Sequence, residues 1–141
     1  MNFAAFDVSA ASTGWAVIMP GDIRERFSGS NWVKVLDKLK LSATSSNWRY
    51  YSDQDISLAH GAWRLKSEWS AEGDPHKQFA KNLVTLFEFS GFEHILFERP
   101  LTQQQRGGAS NEANDILIEL LGVLKYFHSA KRCRTILGIH R

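Results

Sequence analysis

The stretch NFAAFDVSAASTGWAVI, residues 2–18, is an apolar sequence interrupted by one carboxylate, Asp7, and by a serine-containing turn at 9–12. Two apolar runs joined by a short polar turn are typical of a β-hairpin. We expect its first strand at Asn2–Val8 and its second strand at Thr13–Met19. Strand interiors disfavour Asp, because a desolvated carboxylate is costly unless it is paired or bound to a cation. Asp7 is therefore a candidate functional residue.

A second isolated carboxylate occurs in HILFERP, residues 94–100. Glu98 follows the apolar residues Ile95–Phe97 and precedes Pro100, which ends the strand pattern. Two strands that each end in a carboxylate suggest a cation shared between Asp7 and Glu98.

The composition is that of an ordinary globular protein. The 141 residues, 43% hydrophobic and 23% charged, predict a single domain spanning 1–141. The net charge of +2 neither requires nor excludes a polyanionic partner. The single cysteine, Cys133, excludes an intrachain disulfide, and no signal peptide or long apolar run is visible. We therefore expect a cytoplasmic protein with no membrane segment and no disulfide partner.

Further along the chain, two long helices are predicted. The first runs from Pro75 to Ser90, with Asp74 as its N-cap and Gly91 as its C-cap. The remaining elements are a second long helix, three strands and a short amphipathic helix, expected at Asn111–His128, Gly61–Ser67, Glu93–Glu98, Lys131–Ile139 and Asn31–Leu41. The short helix belongs to segment 22–58, which is longer than a simple connection and is interpreted as an insertion.

The order β-β-β-α-β-α-β predicts an α/β fold with a mixed five-stranded sheet flanked by helices. The first three strands are expected to be antiparallel, and strands four and five to run parallel to strand one. If strand four lies beside strand one, the C-terminal ends of both strands meet at one sheet edge, about 4.8 Å apart. Asp7 and Glu98 can then reach the same metal ions.

Several polar groups allow two interpretations. The cluster Trp48–Tyr51 is either an aromatic anchor for a surface excursion, which we favour, or a nucleic-acid contact. Ser9, Ser12 and Thr13 either bind a phosphate or close the turn after the first strand. The acids on the last helix, Glu112, Asp115 and Glu119, are interpreted as a solvated face rather than as metal ligands.

Two segments together resemble a known family: FDVSAASTGWAVI and ILFERPLTQQQRGGASNEANDILIELLGVL. They are similar to ribonuclease-H-like nucleases, and most similar to the phage branch of the RuvC-type Holliday junction resolvases. The resemblance implies that Asp7 and Glu98 bind metal, and that a homodimer hydrolyses branched DNA with Mg²⁺ or Mn²⁺. Hard carboxylate oxygens suit such ions. The resemblance also supports Arg106, Gly107 and Gly108 as DNA contacts. Ser9 and Thr13 are further candidate DNA contacts because they follow Asp7 in the sequence.

The chain departs from that family in several respects, of which the metal site is the most important. Family members complete that site with two further acids, or with an acid and a His, on a helix after strand five, whereas this sequence ends at Arg141. We therefore expect a fold truncated after strand five, with weak cleavage and an apolar patch on the uncovered sheet face. One alternative is a non-cleaving module that binds DNA structures. A third is a fragment of an actin-like or sugar-kinase-like ATPase, although no glycine-rich phosphate turn is visible.

Overall fold

A computed structural model describes residues 1–9, 12–27, 29, 31–42, 48–65, 74–99 and 111–139, without the side chains of 111–114. The strands are β1 Phe3–Asp7, β2 Ser12–Pro20, β3 Arg49–Ser52, β4 Ile56–Arg64, β5 His94–Glu98 and β6 Thr135–Ile139. The α-helices are α1 Asn31–Ser42, α2 Pro75–Ser90 and α3 Asn111–Ala130, and a 3-10 turn spans Ile23–Arg26. None of these helices combines the length and apolar character needed to cross a membrane.

The six strands form one mixed sheet in the order β3-β4-β2-β1-β5-β6. β2 is antiparallel to both β1 and β4, whereas β5 is parallel to both β1 and β6. The α/β class, the strand directions and the adjacency of β1 and β5 are as the sequence predicts. The expected number of five strands is wrong, because the segment after α1 adds β3 to the edge of the sheet.

The third expected strand also begins earlier than predicted, at Ile56 rather than Gly61. A turn at Asp53 sets this start. The Asp53 side chain accepts hydrogen bonds from the backbone N–H groups of Asp55 and Ile56, at 2.8 and 2.9 Å. The turn brings β3 back against β4, and Trp48 and Tyr50 pack on the core beside it. This placement agrees with the interpretation of the aromatic cluster as an anchor.

The rest of the 22–58 segment is tied to the sheet by Ser57, which is fully buried. Its hydroxyl accepts from the N–H of Ile23 at 2.8 Å and donates to the carbonyl of Gly21 at 2.8 Å. The Ser52 hydroxyl lies 2.8 Å from the hydroxyl oxygen of Ser57 and 3.2 Å from Asp22 Oδ1. These bonds satisfy polar groups that would otherwise be buried without partners.

All three helices lie on one face of the sheet. Trp63 is fully buried at the centre of this face, with ring centroids 5.8 Å from those of Trp15 and Phe79 and 6.1 Å from that of Phe6. α2 begins at Asp74, whose side chain accepts from the N–H of Lys77 at 2.8 Å. It ends at Gly91, with φ of 58°, so both predicted caps are observed.

The opposite sheet face is not covered by any helix that the structure describes. Exposed apolar side chains stand on it, and they include Ile18, Tyr51, Leu137 and Ile139. Strand alternation explains them, because their neighbours in sequence point to the helix-covered face. This open face matches the sequence-based expectation of an uncovered apolar surface.

Candidate functional site

The two candidate metal ligands end two adjacent parallel strands. Asp7 is the last residue of β1 and is exposed, and Glu98 is the last residue of β5 and is half-buried. The last paired residues of these strands are Phe6 and Phe97, so Asp7 and Glu98 stand one residue beyond that pair and at the same level. Neighbouring strands are about 4.8 Å apart, which brings both carboxylates within reach of one ion.

Both carboxylates also lie on the open face of the sheet. Phe6 and Phe97, which precede them, are buried under the helices, and alternate residues of a strand point to opposite faces. The carboxylates are therefore accessible from solvent on the side where no described helix lies.

The surroundings of the pair are small on one side and apolar on the other. Gly14 lies opposite Asp7, and Ala62 is the next residue along the same row. Beside Glu98 is a cavity of about 260 Å³, lined by Ala5, Phe6, Leu96, Phe97, Glu98 and Ile139. The sequence analysis did not identify Gly14 and Ala62 as neighbours of Asp7. The register of the β1–β2 hairpin would have placed Gly14 opposite Asp7.

The starts of α2 and α3 lie at the same end of the strands as Asp7 and Glu98, because each helix runs towards the start of the strand that follows it. The N-terminal end of a helix carries a partial positive charge, but its effect falls off within the first turn. Both helices lie on the face opposite to the two carboxylates, so their starts are not counted as part of the candidate metal site.

The residues present fit a hydrated divalent ion rather than a fully enclosed one. Across the described ranges, no group of three or more His, Cys, Asp or Glu side chains could hold a metal. Mg²⁺ nevertheless keeps several waters and is often bound by one or two carboxylates together with substrate phosphates. Asp7 and Glu98 are the residues that would hold such an ion here.

The two hydroxyl residues have different environments. The Ser9 hydroxyl donates to the carbonyl of Ser12 and accepts from its N–H at 3.1 Å, which closes the turn between β1 and β2. Thr13 is fully buried on the helix-covered face, opposite Trp63, and its hydroxyl has no hydrogen-bond partner among the residues that the structure describes. Thr13 therefore lies on the opposite face from Asp7, and its placement gives no support to a phosphate contact. Strand alternation from Trp15 would have identified this orientation.

The other candidates are placed as follows. Arg106, Gly107 and Gly108 lie outside the described residues, as does the side chain of Glu112. Glu119 on α3 contacts His76 on α2, so this acid joins two helices instead of facing the carboxylate pair. Asp115 is exposed.

Arg99 follows Glu98 but its side chain lies over the helix-covered face. A Cβ atom on Gly138 would stand 2.7 Å from Arg99 Cγ and 2.8 Å from Arg99 Nε, so the arginine stem crosses the strand where Gly138 leaves space. This packing was not predicted from the sequence, because the contact depends on the pairing of β5 with β6.

Comparison of the sequence with protein-family models gives no matching family, and a search of curated proteins gives no match either.

Proposed function

We propose that this chain is a ribonuclease-H-like nuclease domain that hydrolyses phosphodiesters in branched DNA with Mg²⁺ or Mn²⁺, acting in the cytoplasm as a homodimer. The observation that carries the proposal is the position of Asp7 and Glu98, at the ends of adjacent parallel strands and on one open face. The directions of β4, β2, β1, β5 and β6 and the adjacency of β1 and β5 also support it, since they are those predicted from the sequence.

In this proposal each residue of the site has a separate task. Asp7 and Glu98 hold the divalent ion, which would polarise the phosphodiester and activate a water molecule. Gly14 keeps one flank of Asp7 free for the DNA backbone. Arg106 contacts a neighbouring phosphate.

A second candidate function is binding of branched DNA without cleavage. Within the described part of the chain, only two carboxylates meet at the site, and no third metal-ligating side chain joins them. Two divalent ions held close together repel each other, so a complete two-metal centre requires more negative charge than these two residues supply.

The deciding experiment measures nicking and binding of a synthetic four-way junction in Mg²⁺, Mn²⁺ and Ca²⁺. The variants are Asp7→Asn and Glu98→Gln, and Asp37→Asn is the matched control because it removes an exposed acid on α1. The nuclease proposal expects nicking by the wild type and by Asp37→Asn, and a loss of at least about 100-fold in the two site variants. Junction binding without nicking supports the second candidate. A chain that neither binds nor nicks the junction contradicts both.

A further inference from the structure

We propose that the edge strand β6 pairs antiparallel with β6 of a second copy of this chain, about a two-fold axis at Leu137, so that the two sheets become one. The pairing is inferred from the edge strand itself and does not require nuclease activity. It would give the proposed homodimer a defined interface.

The two edges of the sheet differ in their protection. β3 at one edge has four residues and includes the charged residue Arg49. β6 at the other edge has the sequence TILGI, with no charge and no proline. Charges and proline are the usual devices that prevent an exposed edge from pairing with another strand. β6 lacks both, and Leu137 and Ile139 are 51% and 47% exposed.

The hydrogen bonds within the sheet show which groups of β6 point outward. The N–H of Thr135 donates to the carbonyl of Glu93 at 3.2 Å, and the N–H of Arg99 donates to the carbonyl of Ile139 at 2.9 Å. Residues 135, 137 and 139 therefore face β5, and the backbone groups of Ile136 and Gly138 point away from the sheet. These two residues can form the hydrogen-bonded pairs of a new ladder.

In one register of two antiparallel β6 strands, the outward backbone groups of Ile136 and Gly138 pair with each other and their side chains fit together. With Leu137 opposite its own copy, Ile136 stands opposite Gly138 of the partner, and each such pair exchanges two backbone hydrogen bonds. The branched Ile136 side chain then meets a glycine rather than a second bulky residue. Behind that glycine lies the stem of Arg99, which gives Ile136 of the other copy an aliphatic surface to pack on.

The position of α3 beside β6 is also compatible with a two-fold axis at Leu137. A groove of about 540 Å³ separates α3 from the edge, and its lining includes Ile118, Lys125, Ile136 and Gly138. Ile118 is 53% exposed. The two-fold axis makes the two α3 helices antiparallel, so the Lys125 end of one helix lies beside the Asp115 end of the other. This arrangement covers Ile118 and brings opposite charges together.

If the chain has the proposed function, the two-fold axis also sets the distance between the two carboxylate pairs of the dimer. A two-fold axis perpendicular to the sheet leaves both open faces on the same side of the dimer. Glu98 is one strand inward from β6 and level with Ile139. Standard strand spacing and rise then place the two Glu98 residues roughly 20 Å apart. Two strands of one branched DNA could be presented to the two sites together.

The first test measures the mass of the full chain in solution by light scattering and sedimentation. The wild type should have twice the monomer mass of 16.0 kDa. Leu137→Lys should be monomeric, because it places two ammonium groups at the axis. The control Ile18→Lys adds the same charge to the open face on β2, away from the edge, and should remain dimeric. Circular dichroism checks that both variants are folded.

The second test does not depend on charge. In the proposed register Leu137 forms a non-hydrogen-bonded pair with its copy, with Cα atoms about 4.5 Å apart, and disulfides span roughly 4.4–6.8 Å between Cα atoms. Leu137→Cys should form an intermolecular disulfide under mild oxidation. The wild type, whose single thiol is Cys133, and Ile18→Cys should not.

Three results would overturn the proposal: a monomeric wild type, a dimer that Ile18→Lys dissociates, or a Leu137→Cys dimer that oxidation leaves uncrosslinked. The second result would indicate face-to-face packing of the open faces. These readouts are masses and crosslinks, so they are independent of whether the chain cleaves DNA.

Discussion

Gly14 lies directly opposite Asp7 in the β1–β2 hairpin, and a Cβ atom on Gly14 would stand 3.7 Å from the Cβ of Asp7. That distance is an ordinary van der Waals contact, so alanine fits here but fills the space beside the carboxylate. On its other side Asp7 adjoins Glu98. Substitution of Gly14 on one side, or of Glu98 on the other, therefore changes the surroundings of the Asp7 carboxylate.

The first prediction concerns Gly14. Gly14→Ala should leave the fold unchanged, whereas Gly14→Leu should cover the flank of Asp7 and reduce ion binding. Ligand binding raises the melting temperature in proportion to its free energy, so Mn²⁺ titration followed by thermal unfolding measures the effect. The Mn²⁺-dependent increase should persist in Gly14→Ala and shrink in Gly14→Leu. Equal increases in both variants would show that this flank is not used.

The second prediction is that Asp7→Asn changes stability in opposite directions with and without metal. Like charges that lie side by side on adjacent strands destabilise a sheet. In a chelator, Asp7→Asn should therefore melt at a slightly higher temperature than the wild type. In Mn²⁺ the order should reverse, because only the wild type gains the binding free energy. The same order in both conditions would argue against a shared cation.

Local patterns predicted much of the fold. Asp74, Pro75 and Gly91 mark the ends of α2 by their own chemistry, and the observed caps agree. The hairpin of β1 and β2 followed from two apolar runs joined by a serine-containing turn. β3 was missed because it has only four residues and depends on a return turn at Asp53, which closes against β4.

The candidate site was predicted less completely, because it depends on which strands are neighbours. Asp7 and Glu98 are 91 positions apart in the sequence, and their proximity follows only once β5 lies beside β1. Thr13 shows the converse, that a residue close to the site in sequence can lie away from it in the fold. It directly precedes Gly14 and was grouped with the site, yet alternation places it under the helices beside Trp63.

The third prediction tests the packing of Arg99 over Gly138. Gly138→Ala would bring its Cβ to 2.7 Å from Arg99 Cγ and 3.0 Å from Phe97 Cζ, so it should lower stability by crowding both side chains. In an Arg99→Ala background the same substitution should cost less, because only the contact with Phe97 remains. Urea unfolding of the two single variants and the double variant gives this interaction energy. Additive losses would show that the two side chains do not compete for space.

The fourth prediction is a pH dependence that arises at Asp22. Hydrogen bonds from the Arg24 guanidinium and backbone lower the pKa of Asp22 well below its ordinary value of 3.8. A lowered folded-state pKa adds stability that is complete above about pH 4 and is lost as the pH falls further. The wild type should therefore exceed Asp22→Asn in urea midpoint at pH 7, and the difference should shrink below pH 4.

Asp37→Asn is the control for this effect, since it removes the same charge from an exposed position on α1. Its difference from the wild type should change less over the same pH range. If the Asp22→Asn difference is as large at pH 3 as at pH 7, the bonds to Arg24 do not stabilise the charged form.

The last prediction concerns Arg106 and DNA. If its guanidinium contacts a phosphate, Arg106→Ala should weaken binding of a four-way junction in Ca²⁺. It should also reduce the slope of log K against log salt by about 0.9, because one fewer counterion is released. Arg132→Ala is the matched control. Arg132 is exposed in the turn before β6, at the opposite end of the strands from Glu98, so its loss should leave the slope nearly unchanged. An unchanged slope for Arg106→Ala, or an equal change for Arg132→Ala, would mean that the segment around Arg106 does not contact the DNA backbone specifically.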